Sequence, residues 1–241
     1  MRTRKALAAT AIGLMSALTP LAMAQPAAAQ GVSCGQGQLK GGLIAWAKGK
    51  KVNVYQSAGG KYIRSYNNPN KERYNAPLTF LVVENPNNGW LRVMVPSRPN
   101  MAQGWILASD VELRQTGQHV VVSLSQRTLC LFDGDTPILT TRVAVGAKKT
   151  PTPTGIFFMQ SLLNTGSPSG SYGPYAFGTT AFSNVLFKFG SKGDGQVGIH
   201  GTNHPELMGQ AVSNGCIRVP NENIRKLAST VPLGTPVEIV A

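Results

Sequence analysis

Carboxylates are scarce in this 241-residue chain: ten Asp and Glu stand against 23 Lys and Arg, a formal net charge of +13. So few acids leave the surface basic, and a chain of that sign seeks polyanions. Cysteine is scarcer. Cys34, Cys130 and Cys216 are the only three, too few for the multi-bridge framework of a small disulfide-rich protein, and their odd number leaves at least one outside any internal bridge. Beyond the first 25 residues no apolar run approaches the roughly 20 residues that cross a bilayer as a helix. Such a span is excluded from that part of the chain.

The opening residues supply the compartment. Arg2, Arg4 and Lys5 precede an apolar stretch from Ala6 to Leu18, followed by small residues Ala22 and Ala24, the pattern of a secretory signal. Cleavage is expected after Ala24, with Ala29 as second choice. Pro20 and the small-residue tail argue against a retained anchor, and Gly31-Val32-Ser33 is a poor acylation signal for Cys34. Without Arg2, Arg4 and Lys5 the formal charge is three lower than +13, or +10. An exported protein this basic meets anionic wall polymers and lipid headgroups rather than nucleic acid, unless the charge serves only solubility. In an oxidising compartment a Cys34–Cys130 bridge would leave Cys216 as a free thiol. Cys130 also suits a buried structural role in the apolar run Thr128 to Phe132, and spacing does not decide between the two.

The expected organisation is a signal peptide (1–24), a flexible Ala-, Gln- and Gly-rich tether (25–40), and two β-rich domains (41–114 and 118–241). In the first, short apolar runs such as Val52 to Tyr55, Leu78 to Val83 and Trp90 to Val95 are separated by Gly, Asn and Pro, which predicts a small barrel or sandwich. Asn88-Gly89-Trp90-Leu91-Arg92-Val93, Gly104-Trp105-Ile106 and Val111-Glu112-Leu113 together resemble a bacterial SH3-like module. Tyr55, Tyr62, Tyr66 and Tyr74 there either rim the core or offer a stacking face.

In the second domain Val120 to Val122, Thr128 to Phe132 and Ile138 to Val145 read as a three-strand meander, with His119 structural at its entrance. The stiff loop Thr150-Pro151-Thr152-Pro153-Thr154-Gly155 leads into a strand from Ile156 to Met159. Residues 164–178 read as a long lid or binding loop with Tyr172 and Tyr175 as contacts, or else as disorder. Strands follow at Val185 to Phe189 and Val197 to Ile199. Asn203 is expected to cap a short helix to Gln210, and Asn221 one with Ile224, Leu227, Ala228 and Val231 inward. Val237 to Val240 closes the domain as an edge or closing strand.

Chemistry concentrates between Ile199 and Arg218. Cys216 follows Gly215 in a flexible turn whose amides suit an oxyanion hole, and His200 is the natural base for its thiol. A metal site of His200, His204 and Cys216 is disfavoured, because Gly201 and Pro205 break the helix that would align the two imidazoles. An inert core cysteine beside an unrelated histidine is the plain alternative.

At these residues a family resemblance emerges. Ile199-His200-Gly201-Thr202-Asn203, then Ser213-x-Gly215-Cys216-Ile217-Arg218, with the Thr150 to Gly155 turn upstream, resembles the signature of YkuD-type L,D-transpeptidases over about residues 119–241. Asn214 stands where many members have His. The resemblance implies a mainly β catalytic domain and no metal or cofactor, so the expected fold is mainly β, the SH3-like small β-barrel followed by a transpeptidase-type β-sandwich with short helices. It implies Cys216 as nucleophile, His200 as acid and base, Ser213 orienting His200, and the Gly215 and Cys216 amides holding the oxyanion. Arg218, Thr202, Asn214, Tyr172 and Tyr175 are the expected substrate contacts. The implied partners are peptidoglycan stem peptides in the cell envelope, with carbapenem-type β-lactams as inhibitors. The implied reaction is 3→3 cross-linking with release of D-Ala, or carboxypeptidase trimming when water intervenes. A noncatalytic wall-binding protein is the rival.

Overall fold

In the computed structural model residue 34, residues 37–188 and residues 193–241 are described. The expected signal peptide and most of the tether lie outside these residues. Apolar and polar residues alternate along much of the first domain, as in Lys51-Val52-Asn53-Val54-Tyr55, where Val52 and Val54 are buried. That period of two builds strands with one face inward. They are β1 (Gly42–Ala47), β2 (Lys51–Tyr55), β3 (Tyr62–Asn67), β4 (Thr79–Glu84), β5 (Trp90–Met94), β6 (Gln103–Leu107) and β7 (Val111–Thr116). All pair antiparallel, in the order β3-β2-β6-β5-β4-β1-β7, around a core that includes Phe80, Leu91, Val93 and Ile106.

The second domain opens with the expected meander, β8 (Gln118–Ser123), β9 (Thr128–Asp133) and β10 (Thr136–Arg142), followed by a short β11 (Val145–Gly146). Next come β12 (Gly155–Asn164), β13 (Tyr175–Phe182), β14 (Gln196–His200), β15 (Ala211–Ser213) and β16 (Ile217–Arg218), then helix α1 (Asn221–Thr230) and β17 (Pro236–Val240). Eight of these strands form one mixed sheet, ordered β10-β9-β8-β17-β12-β13-β14-β16, while β11 pairs with β15. The final strand, expected as an edge or closing strand, is β17, and it lies inside the sheet between β8 and β12. It runs parallel to β8 and antiparallel to β12. Residues 236–239 are all buried, and burial on both faces is what an interior strand requires.

Other expectations also change. Val185 and Phe187, placed in a strand from sequence, belong to none and are 47% and 65% exposed; Phe187 instead lies against the Arg98 guanidinium, 4.7 Å from its ring centroid. Near residue 203 only a single 3-10 turn forms, Pro205–Leu207, and His204 rather than Asn203 occupies its cap. Asn221 is the first residue of α1, not its cap. Its side chain accepts the Thr202 N–H at 2.8 Å and donates to the Pro168 carbonyl at 2.9 Å. Ile224 and Leu227 are buried as their spacing predicts. The irregular segment shrinks to residues 165–174, because β12 and β13 extend into it.

The tether is not free where it is described. Cys34 is bridged to Cys130, and the Gln38 and Leu39 amides donate to the buried Glu238 carboxylate at 2.6 and 3.3 Å. A buried carboxylate needs such donors. His119, structural as expected, stacks on Phe132 at 4.9 Å. The two domains meet through Leu81 and Met94 of the first and Phe158 of the second. The Asn100 side chain extends this contact by bonding both the carbonyl and the amide of Phe182 at 2.8 Å.

The bridge spans a sequence separation of 96 residues, so it restricts the unfolded chain strongly. Replacing Cys34 with Ser is expected to lower unfolding stability by about 2–5 kcal/mol, measured by denaturant titration against the parent chain.

Candidate active site

Cys216 and His200 are brought together by two short strands. β14 and β16 pair in parallel, with Ile199 opposite Ile217 and His200 opposite Arg218. That register sets Cys216 beside Gly198, whose amide points at Sγ from 3.4 Å. A Cβ built on Gly198 would sit 3.8 Å from His200 Cδ2 and 3.9 Å from Cys216 Sγ. The missing side chain thus leaves a gap that the thiol and the imidazole share.

His200 is buried, and its Nδ1 lies 2.6 Å from the Gly201 carbonyl. A carbonyl only accepts, so Nδ1 carries the hydrogen and Nε2 keeps the lone pair that takes a proton. Burial, with a smaller contribution from Arg218, lowers the His200 pKa to about 4, against the Gly201 hydrogen bond that raises it. Burial pushes the Cys216 thiol up, offset in part by the Gly198 N–H and by Arg218. The resting couple is therefore a neutral thiol and a neutral imidazole. Part of the Cys216 surface still opens on a cleft of about 670 Å³ that His200, Tyr172 and Asn214 also line.

The turn before Cys216 is held from behind by the threonines of the proline-punctuated loop. Thr150 Oγ1 donates to the Ser213 carbonyl at 2.9 Å, and Thr152 Oγ1 to the Gly215 carbonyl at 2.8 Å. Gly215 adopts φ +112°, a conformation open to glycine. With two carbonyls tied back, the backbone leading into Cys216 is fixed.

Some expected roles move. The Ser213 hydroxyl donates to the Cys216 carbonyl at 2.5 Å and accepts the Gly215 N–H at 3.1 Å, so it braces the turn and does not orient His200. The Gly215 amide is thereby used, and among the described residues neither of the other two amides of this turn, Asn214 and Cys216, meets an acceptor. Thr202 is buried, with its Oγ1 accepting the His204 N–H at 3.0 Å; it shapes the loop after β14 and is absent from the cleft lining. Tyr175 faces the other way, into a separate cavity of about 470 Å³ with Arg225 and Lys226 of α1. Arg218 is half-buried and has no carboxylate partner among the described residues. Tyr172 packs on His200 with ring centroids 4.7 Å apart.

Lys71 to Tyr74 of the first domain and Asp194 and Gln196 also line the cleft, and the motif reading missed all but Tyr74 as ligand-contact candidates. The conspicuous signal was Tyr74 itself, an aromatic in an Asn-rich break. Among the described residues no group of three or more His, Cys, Asp and Glu is arranged to hold a metal, and His204 pairs instead with Glu206 at 2.9 Å.

Residues 117–239 match the family described as YkuD, the L,D-transpeptidase catalytic domain. The chain belongs to that family. Among curated relatives it is similar to proteins named as YkuD L,D-transpeptidases in Bacillus licheniformis and Bacillus subtilis. The first is 39% identical over 120 residues, half of this chain and 64% of the relative; the second is 38% identical over 121 residues, half of this chain and 65% of the relative. This family member thus spans a little under two thirds of those relatives' length. Among solved structures, an L,D-transpeptidase from Mycobacterium tuberculosis in complex with a faropenem-derived adduct is 17% identical, covering 68% of this chain and 91% of that one at a TM-score of 0.43.

Two outcomes follow for the site. Gly198→Ala puts a methyl 3.0 Å from the Phe177 carbonyl and into the gap between thiol and imidazole, so acylation of Cys216 is expected to slow by about tenfold or more, about 1.4 kcal/mol, in a chain that still folds, checked by intact mass and circular dichroism. The pH dependence has two parts. Alkylation of Cys216 by iodoacetamide should reach half-maximum above the ordinary thiol value of 9.0. The folded His200 stays neutral to about pH 4 while the unfolded imidazole titrates near 6.5, so its share of stability is intact above 6.5 and is lost as pH falls through 4, read by denaturation at stepped pH.

Proposed function

We propose that this chain is an exported peptidoglycan L,D-transpeptidase working through a thioester on Cys216. The observation that carries the reading is the pairing, in one cleft, of a half-open thiol on the turn entering β16 with an imidazole at the end of the adjacent β14, whose Nε2 meets no partner among the described residues. Cys216 Sγ attacks the carbonyl on the carboxyl side of the third residue of a tetrapeptide stem. Because both groups start neutral, the thiol proton passes to His200 Nε2 as the carbon–sulfur bond forms. The imidazolium then returns it to the nitrogen of the departing D-Ala. An amine of a neighbouring stem attacks the thioester, forms the 3→3 amide and releases the thiol with its proton. When water attacks instead, the product is a trimmed stem.

The Cys216 amide, with that of Asn214, is the donor pair available to a developing oxyanion, in place of the Gly215 amide. Arg218, a cation without a carboxylate partner among the described residues, suits a substrate carboxylate. The first domain, read as an SH3-like module, belongs to the same wall-directed reading, as do the basic surface and the export signal. The proposal includes carbapenem-type β-lactams as acylating inhibitors.

Incubation with a disaccharide tetrapeptide is expected to release D-Ala and yield a cross-linked dimer. Cys216→Ala should abolish both, and a carbapenem should add its mass to the parent chain but not to the variant. Tight wall binding with no acylation and no turnover would favour a noncatalytic protein instead.

A further inference from the structure

One wall of the cleft comes from the first domain, through the 3-10 turn Lys71–Arg73 and Tyr74 after it. Tyr74 and Asn75 are consecutive non-glycine residues in the left-handed region, at φ 58° and 57°. That conformation is costly for residues bearing a Cβ and persists where surrounding structure holds it. The fold gains little burial in return, since Tyr74 is 62% exposed. The turn is nevertheless pinned. Arg73 pairs with Asp194 at 2.5 Å, and its Nε donates to Gln160 Oε1 at 3.3 Å. The same oxygen accepts from Gln196 Nε2 at 2.9 Å, and Gln196 opens β14, the strand that ends in His200. The position of Tyr74 is thereby tied to the strand carrying the imidazole.

Tyr172 lines the same cleft, packed on His200 at 4.7 Å. Both Cys216 and Tyr74 act to push the Tyr172 phenol up, beyond what burial does, as their sharing one cleft requires. An exposed aromatic ring held in a strained turn, lining one cleft with a second ring that packs on His200, has the placement of a ligand contact.

We propose that Tyr74 is a substrate-contacting residue: the acyl-donor peptide enters between Tyr74 and Tyr172, so the first domain takes part in selecting the donor. This rests on the transpeptidase reading above. A module that only tethers the enzyme to the wall would leave donor affinity untouched.

The test uses the full chain and a disaccharide tetrapeptide as donor, with KM and kcat for D-Ala release measured alongside the rate of carbapenem acylation. Tyr74→Gly removes the ring and relieves the backbone, so its melting temperature should equal or exceed the parent's. Its KM should rise about tenfold with kcat within about twofold, and acylation by the much smaller carbapenem should slow by no more than about twofold. Tyr74→Phe should stay near the parent, and Tyr62→Ala, an exposed tyrosine outside the cleft lining, should match it. A parental KM for Tyr74→Gly overturns the proposal. So does a lowered melting temperature with equal losses on both substrates, which marks a structural role. A parent chain that neither releases D-Ala nor takes up carbapenem removes the reading beneath it, and the proposal with it.

Discussion

The parallel pairing of β14 with β16 is only two residue pairs long, yet the chemistry of the site depends on its register. Side chains alternate across a strand, so a slip by one residue would turn the thiol toward the core and bring an isoleucine into the cleft. Ile199 and Ile217, both fully buried, oppose that slip by filling the core from the opposite face. The bridge between Ala144 and Arg218, with backbone bonds of 2.8 and 3.0 Å, holds β16 from its other side. Thr150 and Thr152 then fix the turn between β15 and β16.

The same burial that fixes the couple sets its protonation. Removing water from a thiol and an imidazole disfavours the charged form of each, so the thiol rises and the imidazole falls. A buried pair of this kind rests uncharged on both sides. Arg218 acts on both groups in the same direction, lowering each. It helps the thiol ionise and also resists protonation of the imidazole.

The strands were legible where one face is buried, as at Val52 and Val54, or where both are, as in β8. Cys216 and His200 were legible because their residue types and spacing belong to a recognisable motif. Position within the sheet was not. The run Val237 to Val240 has the same letters at an edge or in the middle, and only the parallel pairing with β8 distinguishes them. The roles of Ser213, Gly215, Thr202 and Tyr175 went astray for a related reason. A motif states which residues are near the chemistry, while the destination of each hydroxyl, amide or ring is decided by hydrogen bonds from distant loops, such as those from Asn221 and Thr152. The contribution of residues 71–74 was hidden because it arises from contact between two domains.

The partnership of β8 with β17 carries a further implication. These strands lie at opposite ends of the second domain's sequence, and Val120 pairs with Val237. Until residues 236–240 have been synthesised, the sheet has a hole at its centre, β9 and β10 cannot join β12, and the core beneath has no lid. Contacts this far apart in sequence form slowly and late. The second domain therefore stays pliable while the first can already pack around its own core, and the larger sheet turns rigid only when β17 slots home.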